Sequence, residues 1–461
     1  MYKVSAPDEK SRYHLAELAR MFLPTGGCEV YARKTAQAAE FSVEDAAENT
    51  DPANFLYIED LISKEEAAKI LYKFLKEKTG KELDWGTLTG VRPVKLYNGL
   101  RRRNEDAFKI MRERYLVSDE KALLLHEVSE IQKSLAFDEN PEAIAVYIGI
   151  PFCPTRCNYC SFTSSKIEKK KVEIYLPALF TEMRAVNALM KDRGLFAESV
   201  YIGGGTPSSL DEQDFAELLS NTKECFVGDR CREFTVEAGR PETLSAEKLE
   251  AMAESGAKRI SINPQSMKQR SLELIGRIHS PQQIIDAFAL ARRRGDFCIN
   301  MDLIAGLPEE EPEDFEASLR TVIGLGPENI TVHTLAIKRA SRLIEEDRYL
   351  AARQADNVRI MLQSASRLLK EAGYRPYYLY RQKNMAGNFE NIGWSLPTYE
   401  SLYNVRIMEE NQIVAAMGAG AISKMYFPEE DRIERIPNVS DTKLYIERID
   451  EMIKRKEDGI L

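Results

Sequence analysis

Between residue 144 and about residue 337 the chain repeats one pattern six times: a short β-branched apolar run, a loop, and an amphipathic helical stretch. The strand candidates are 144–150, 199–205, 233–238, 259–265, 298–306 and 329–337, with helical patterns over 174–190, 212–219, 246–254, 282–294 and 312–323. Strictly alternating strands and helices leave few options, because parallel strands joined by helical crossovers are the stable way to bury both kinds of apolar face. Six units make a partial (β/α)6 barrel rather than the full eight. In such barrels the chemistry collects at the C-terminal ends of the strands, so the residues that close each run are where function is sought.

On either side the pattern changes. Residues 1–140 carry helical patterns over 63–79 and 119–135, separated by a turn-rich stretch from Trp85 to Pro93, and read as an N-terminal α/β accessory domain. Residues 137–141 read as a linker into the barrel domain, 141–340. Residues 341–461 form a mainly helical C-terminal region, with a long helical pattern over 343–372, an aromatic run from Tyr374 to Tyr380, and an amphipathic helix from Asp441. The fold class is therefore α/β, a partial barrel with additions at both ends.

The first strand runs into a loop holding Cys153, Cys157 and Cys160, a C-x3-C-x2-C spacing. Three thiolates are one short of the four ligands of a closed zinc site or an ordinary electron-transfer cluster. A [4Fe–4S] cluster held by three leaves one iron open for the amino and carboxylate groups of S-adenosylmethionine (SAM). Three-quarters of a zinc site and three unrelated core thiols are the other readings of the bare spacing. No nearby Cys pair or His pair completes a zinc site, and Tyr159, just before the third cysteine, puts an aromatic ring where it shields a cluster.

The other strand ends are weak signals one at a time. Gly203-Gly204-Gly205-Thr206-Pro207 follows the second strand, where glycines allow a ligand to approach the main chain. Glu237, Gln265 and Asp302 close the third, fourth and fifth strands, and Arg277 follows the fourth. Taken singly, each is more readily a surface or structural residue. An acid, an amide and an arginine at one barrel mouth are what a bound nucleoside and amino acid would use.

Composition bounds the rest. The chain has 461 residues, 44% hydrophobic and 30% charged, with a net charge of −9, which disfavours general nucleic-acid binding. No apolar run reaches the ~20 residues of a membrane span, and the N-terminal residues lack a signal-peptide core, so a cytoplasmic protein with no membrane partner is expected. Seven cysteines, three of them in one loop, argue for reduced thiols rather than a disulfide framework. The basic clusters at Lys169–Lys171, Arg101–Arg103 and Arg292–Arg294 read as solvated faces. No heptad or long exposed apolar face stands out, and a monomer is expected.

In order along the chain, Tyr147 to Cys153, Gly203 to Pro207, Gln265-Ser266, Gly276 to His279 and Asp302 to Pro308 resemble the oxygen-independent coproporphyrinogen III oxidase-like family of radical SAM proteins. Trp85–Pro93, Tyr380–Trp394 and the glycine-rich Met417–Ser423 are similar to its HemZ branch. The resemblance implies a radical SAM barrel, with a [4Fe–4S] cluster on Cys153, Cys157 and Cys160. It implies SAM held by Tyr147, Gly204, Gly205, Thr206, Glu237, Gln265, Arg277 and Asp302. Phe162 and Gly149 stand where the anaerobic oxidase has an extra cysteine and a histidine, and that enzyme's segment for a second SAM has no clear counterpart, so one SAM is implied and a second stays open. The chaperone branch's His-Asn-x-x-Tyr-Trp motif corresponds here to Tyr403–Met408, without the histidine or the aromatic pair.

The activity so implied is oxidative decarboxylation of coproporphyrinogen III to protoporphyrinogen IX in haem biosynthesis. It needs a flavodoxin- or ferredoxin-like electron donor and a further electron acceptor. Lys338, Arg339 and Arg240 are candidate clamps for the substrate's carboxylates. The alternatives are a haem-binding or haem-delivery protein, for which only His14, His126, His279 and His333 offer imidazoles, and a radical SAM enzyme acting on another tetrapyrrole.

Overall fold

An apolar run such as Ala143–Ile150 has no polar face to turn to water, so it folds as a strand covered on both sides. The computed structural model describes residues 1–24, 26–34, 51–59, 62–133, 135, 140–160, 162, 164–336, 350–382 and 385–459. The N-terminal part contains β1 (Tyr2–Asp8), α1 (Glu9–Phe22), β2 (Cys28–Lys34), β3 (Phe55–Tyr57), α2 (Lys64–Thr79), α3 (Pro93–Arg102), α4 (Ala107–Glu113) and α5 (Asp119–Lys133). Helix α2 starts where the sequence pattern put it because Ser63 and Glu66 cap each other: the Glu66 N–H donates to Ser63 Oγ at 3.2 Å and the Ser63 N–H to Glu66 Oε2 at 2.9 Å. It stops at Gly80, whose positive φ of 66° turns the chain out of the helix.

The repeating region follows with β4 (Ala143–Ile150), the two-residue strands β5 (Phe152–Cys153) and β6 (Ser165–Lys166), α6 (Lys169–Asp192), β7 (Phe196–Gly204), α7 (Glu212–Phe226), β8 (Glu233–Glu237), α8 (Ala246–Ser255), β9 (Arg259–Ser261), α9 (Gln269–Leu274), α10 (Pro281–Arg294), β10 (Cys298–Ala305), α11 (Pro312–Leu325) and β11 (Asn329–Thr334). All six expected strands form, and they lie side by side in chain order, β4-β7-β8-β9-β10-β11, every pair parallel. Strand β9 is shorter than the 259–265 run, yet Gln265 rejoins the sheet through a single parallel bridge to Leu303.

The C-terminal part holds α12 (Leu350–Arg353), α13 (Ala355–Glu371), β12 (Arg375–Tyr380), β13 (Asn391–Ser395), α14 (Leu402–Glu409), β14 (Val414–Met417), β15 (Ile422–Phe427), β16 (Arg432–Pro437), α15 (Thr442–Glu447) and α16 (Ile449–Gly459). Helices carry more of its residues than strands do, but the strands extend the central sheet on both flanks. The full order is β12-β13-β11-β10-β9-β8-β7-β4-β14-β15-β16. Among the described residues no pairing joins β12 to β16. The aromatic run ending at Tyr380 becomes β12, since tyrosines suit a pleated, half-buried surface. Part of the expected 343–372 helix and the end of the 329–337 strand lie outside the described residues.

Among the described residues two main apolar cores result, beside two small clusters. Val4, Leu15, Leu18, Phe22, Leu71 and Leu75 form a separate one between the three-stranded sheet β2-β1-β3 and helices α1 and α2. From Trp85 onward the N-terminal part contributes to the main core, through Trp85, Tyr97, Met111 and Val128. There the two stretches singled out before and after the barrel meet. The Arg381 N–H donates to Val91 O and Arg381 Nη1 to Leu88 O, both at 2.7 Å, with the guanidinium over the Trp85 ring. The buried Glu390 carboxylate accepts from Trp85 Nε1 at 2.7 Å and from Lys121 Nζ at 2.6 Å. Among the described residues no helix is long and apolar enough to cross a membrane.

The Lys121–Glu390 pair fixes β13 from behind, and breaking it is costly because a charge is left in the interior. We expect Lys121→Met to cost about 3–5 kcal/mol in denaturant unfolding of the full chain. Adding Glu390→Gln, which removes the stranded charge, should recover part of that loss.

Candidate active site

The cysteine loop is held from two sides. Towards β7, the Gly205 N–H donates to Ile150 O and the Thr206 N–H to Phe152 O, each at 2.7 Å. This approach is open only to glycine: a Cβ on Gly205 would press on Phe152 O and sit 2.9 Å from Cys153 Sγ, and one on Gly204, where φ is +113°, would sit 2.8 Å from Ile150 O. On the other side the turn before Arg277 grips the loop. Asn158 donates from its backbone to Ile275 O and from its side chain to Leu274 O, each at 3.0 Å, and Thr155 Oγ1 donates to Gly276 O at 3.3 Å.

Cys153, Cys157 and Cys160 line a cavity of about 390 Å³ at the C-terminal ends of the strands. Burial pushes the Cys160 thiol up, and the neighbouring Cys157 and Cys153 thiols add to the shift. Among the described residues no three His, Cys, Asp or Glu side chains converge on a point that one metal ion could fill. A cubane takes each thiolate on a separate iron, and three cysteines lining one cavity suit that arrangement.

Gly204, Gly205, Thr206, Glu237, Gln265, Arg277 and Asp302 line the same cavity. Tyr147 is not among its lining residues. It lies one layer behind, stacked on Tyr201 with ring centroids 6.2 Å apart, while Tyr201 stacks on Tyr403 at 4.5 Å. Gln265 is held with a positive φ of 68° between its N–H bond to Asp302 O and its carbonyl bond from the Ile304 N–H. For a residue with a side chain that is a strained backbone, and such strain concentrates at functional sites.

Several buried polar atoms of residues that line the cavity have no partner: Arg277 Nε, Asn263 Oδ1 and Ser261 Oγ. The rest of the Arg277 fork is fixed, with Nη1 donating to Gly239 O at 3.0 Å and Nη2 to Tyr159 Oη at 3.2 Å. Buried donors and acceptors are rarely left unpaired, so these atoms call for a polar ligand. Together with the glycine edge they fit a cluster beside a bound amino acid and nucleoside.

The two acids are shifted in opposite directions. Burial raises Glu237 from 4.5 to about 7 against a hydrogen bond from Tyr201 Oη at 2.6 Å, and Asp302 across the cavity adds to the rise. Burial alone would raise Asp302 as well. His333, 3.5 Å away, outweighs it together with hydrogen bonds from Asn300, at 2.7 Å, and Thr331, so Asp302 ends below its ordinary value.

Tyr201, Asn263, Asn300, Thr331, Tyr378, Tyr380, Asn391 and Asn404 also line the cavity and were not anticipated there, and His333, named only among the imidazoles open to haem, lines it too. Period two would have found some of them: Asn300 shares a face of β10 with Asp302, and Asp302 lies opposite Thr331 in the register, two residues before His333. Arg240 also lines the cavity but turns to the cysteine loop, donating to Thr155 O at 2.7 Å rather than projecting as a free clamp. Lys338 and Arg339 lie outside the described residues.

The raised Glu237 carboxyl carries a pH signature. Its proton stays on in the folded chain until about pH 7 but leaves the unfolded chain near 4.5, so it lowers stability as pH rises between those values. Glu237→Gln is therefore expected to gain stability relative to the parent between pH 5 and 7.5, by up to about 3 kcal/mol, in paired denaturation curves. A gap that stays constant with pH would contradict the shift.

The radical SAM superfamily pattern matches residues 147–322. The oxygen-independent coproporphyrinogen-III oxidase-like protein HemZ of Bacillus subtilis (strain 168) is 39% identical over 402 residues, covering 84% of this chain and 80% of that protein. The heme chaperone HemW of the same organism is 36% identical over 195 residues, covering 42% of this chain and 51% of that one. Among solved structures, the coproporphyrinogen III oxidase HemN of Escherichia coli, a radical SAM enzyme, superposes with a TM-score of 0.54 at 22% identity, over 70% of this chain and 73% of that one, a likeness of fold. A [4Fe–4S] cluster and SAM are the cofactors of the radical SAM family. With the cysteine loop, the glycine edge and the similarity to HemZ over most of both chains in agreement, the chain belongs to the oxygen-independent coproporphyrinogen-III oxidase-like family of the radical SAM superfamily.

Proposed function

We propose that the chain is a radical SAM oxidoreductase that converts coproporphyrinogen III to protoporphyrinogen IX without oxygen. One observation carries the reading: a three-cysteine loop and residues with unpartnered polar atoms line one cavity of a chain akin to HemZ along most of its length. Cys153, Cys157 and Cys160 hold the cluster, and the backbone edge at Gly204 and Gly205 receives the SAM amino group. Glu237 and Asp302 accept from its ribose hydroxyls, Arg277 meets its carboxylate, and Gln265 fixes the orientation between them. Thr206 stands behind Cys153, its hydroxyl 3.6 Å from the sulfur, and Tyr147 supports this wall through Tyr201.

The two cofactors, when bound, supply the one-electron chemistry that removes a hydrogen atom from the substrate. The protein's task is to bind, orient and keep out water. Tyr378 and Tyr380 present near-parallel rings to the cavity, 6.3 Å apart and 5° from coplanar, and Asn391, Asn404 and His333 give hydrogen-bonding edges. Apolar ring faces beside neutral polar tips suit a tetrapyrrole. Two of the four propionates each lose carbon dioxide and become a vinyl group, each giving up one hydrogen atom and one further electron. A flavodoxin- or ferredoxin-like protein supplies the cluster's electron, and a separate acceptor takes the substrate's. We place the protein in the cytoplasm.

Haem binding is the second reading. HemW relatives are named heme chaperones, and His333, one of the four histidines, lines the cavity from β11.

Anaerobic incubation with reductant, SAM and coproporphyrinogen III, followed by mass spectrometry, separates the readings. The expected products are 5′-deoxyadenosine and a porphyrinogen lacking two carboxyl groups, both abolished by Cys157→Ser. SAM cleavage with unchanged porphyrinogen would sink the decarboxylase reading, and tight haem binding in its place would favour the second.

The glycine edge gives an independent check. Gly205→Ala should take up little iron and sulfide on reconstitution, since its Cβ would drive against the backbone at Phe152 and the Cys153 sulfur. Gly228→Ala, whose Cβ would meet nothing within 4 Å, should load like the parent.

A further inference from the structure

We propose that Arg240 is a positioning residue that raises the reduction potential of the cluster by donating to one of its thiolate ligands, a role that rests on the reading of Cys153, Cys157 and Cys160 as those ligands. Arg240 Nη2 lies 3.2 Å from Cys157 Sγ, and the side chain is 3% exposed. The guanidinium is fastened on both prongs. Nη2 also donates to Thr155 O at 2.7 Å and Thr155 Oγ1 at 3.1 Å, within the cysteine loop, while Nη1 donates to Glu242 Oε1 at 3.2 Å.

The anchor has an anchor of its own. Glu242 Oε2 lies 3.0 Å from Nδ1 of His279, a ring with no exposed surface. His279 Nε2 is buried without a partner, so Glu242 is the group this imidazole is built around. The line Cys157–Arg240–Glu242–His279 thus runs from the cysteine loop through β8's exit to the segment after Arg277, fixing the fork in direction as well as in place. Such fixation is what distinguishes an arginine that tunes a site from a surface cation.

The electrostatic consequence has a definite sign. Reduction adds one negative charge to a group already held by three thiolates. A buried cation and an N–H directed at a ligand sulfur stabilise that added charge, and burial keeps solvent and salt from screening it. The reduced state is favoured, so the potential rises, and an external one-electron donor has less to overcome. The same fork spans Thr155 and Cys157, so it also holds the loop in the spacing the ligands need.

The test is a potentiometric titration followed by electron paramagnetic resonance on the reconstituted full-length protein, without SAM, with iron and sulfide counted for each variant. At a fixed potential Arg240→Gln should show a reduced-to-oxidised ratio about tenfold lower than the parent, equivalent to 59 mV for one electron. Arg240→Lys keeps a charge but not the fork, and should fall between the two. A loaded Arg240→Gln with an unmoved midpoint overturns the inference. If Arg240→Gln takes up no cluster, Arg240→Lys decides: a lowered midpoint supports the role and an unchanged one overturns it. A parent protein that forms no reducible [4Fe–4S] cluster would fail the underlying reading itself, and the inference with it.

Discussion

The cysteine loop lies where it does because two backbone hydrogen bonds tie the tip of β7 to the segment between β4 and β5. Gly205 and Thr206 reach Ile150 and Phe152 at 2.7 Å, closer than any Cβ would allow at Gly205. Everything that the site does depends on this contact. It lays the glycine edge beside the first cysteine, turns Thr206 towards the Cys153 sulfur, and leaves the Gly203 side open to the Glu237 carboxyl. A strand order that separated β4 from β7 would scatter these groups, and the parallel ladder from Ala143 to Ile150 prevents that.

Around this contact the protein places its charges unevenly. On the loop side, Arg240 and Arg277 are both buried and both engaged, one with Cys157 and the other with Tyr159. Across the cavity sit two acids in different environments, Glu237 raised by burial and Asp302 lowered through His333 and its hydrogen bonds. Buried cations and acids lining one cavity are a setting for a ligand that carries both an anionic and a hydroxyl-rich end. The far wall is different in kind, formed by tyrosines and amides that offer flat apolar faces with polar tips.

That far wall belongs to the C-terminal strands, and it is braced from behind by the N-terminal part. Glu390 shares a carboxylate between Trp85 and Lys121, and its own carbonyl accepts from Thr334 at the end of β11. Asn391, the next residue, lines the cavity and accepts from the Thr334 N–H. Among the described residues the accessory segments contribute no lining side chain of their own, and they act on the site from behind, through the Glu390 contacts, the Arg381 bonds to Leu88 and Val91, and the Gln132 bond to Tyr377 O.

The sequence by itself determined the six parallel strands, the loop after the first, and the level at which Gly204, Glu237, Gln265, Arg277 and Asp302 would meet. Period-two apolar runs, turn residues and cysteine spacing are local signals, and strands that repeat in one sense stack in chain order. The tertiary structure alone decided that β13 lies antiparallel to β11 some sixty residues before it in the chain, that β14 joins the opposite side beside β4, and hence that Tyr378, Tyr380, Asn391 and Asn404 face the cavity. It also decided that Tyr147 stands behind Tyr201 and that Arg240 turns inward to Cys157. Pairing between distant segments and the direction of a long side chain follow from what packs against them, and no local period records that.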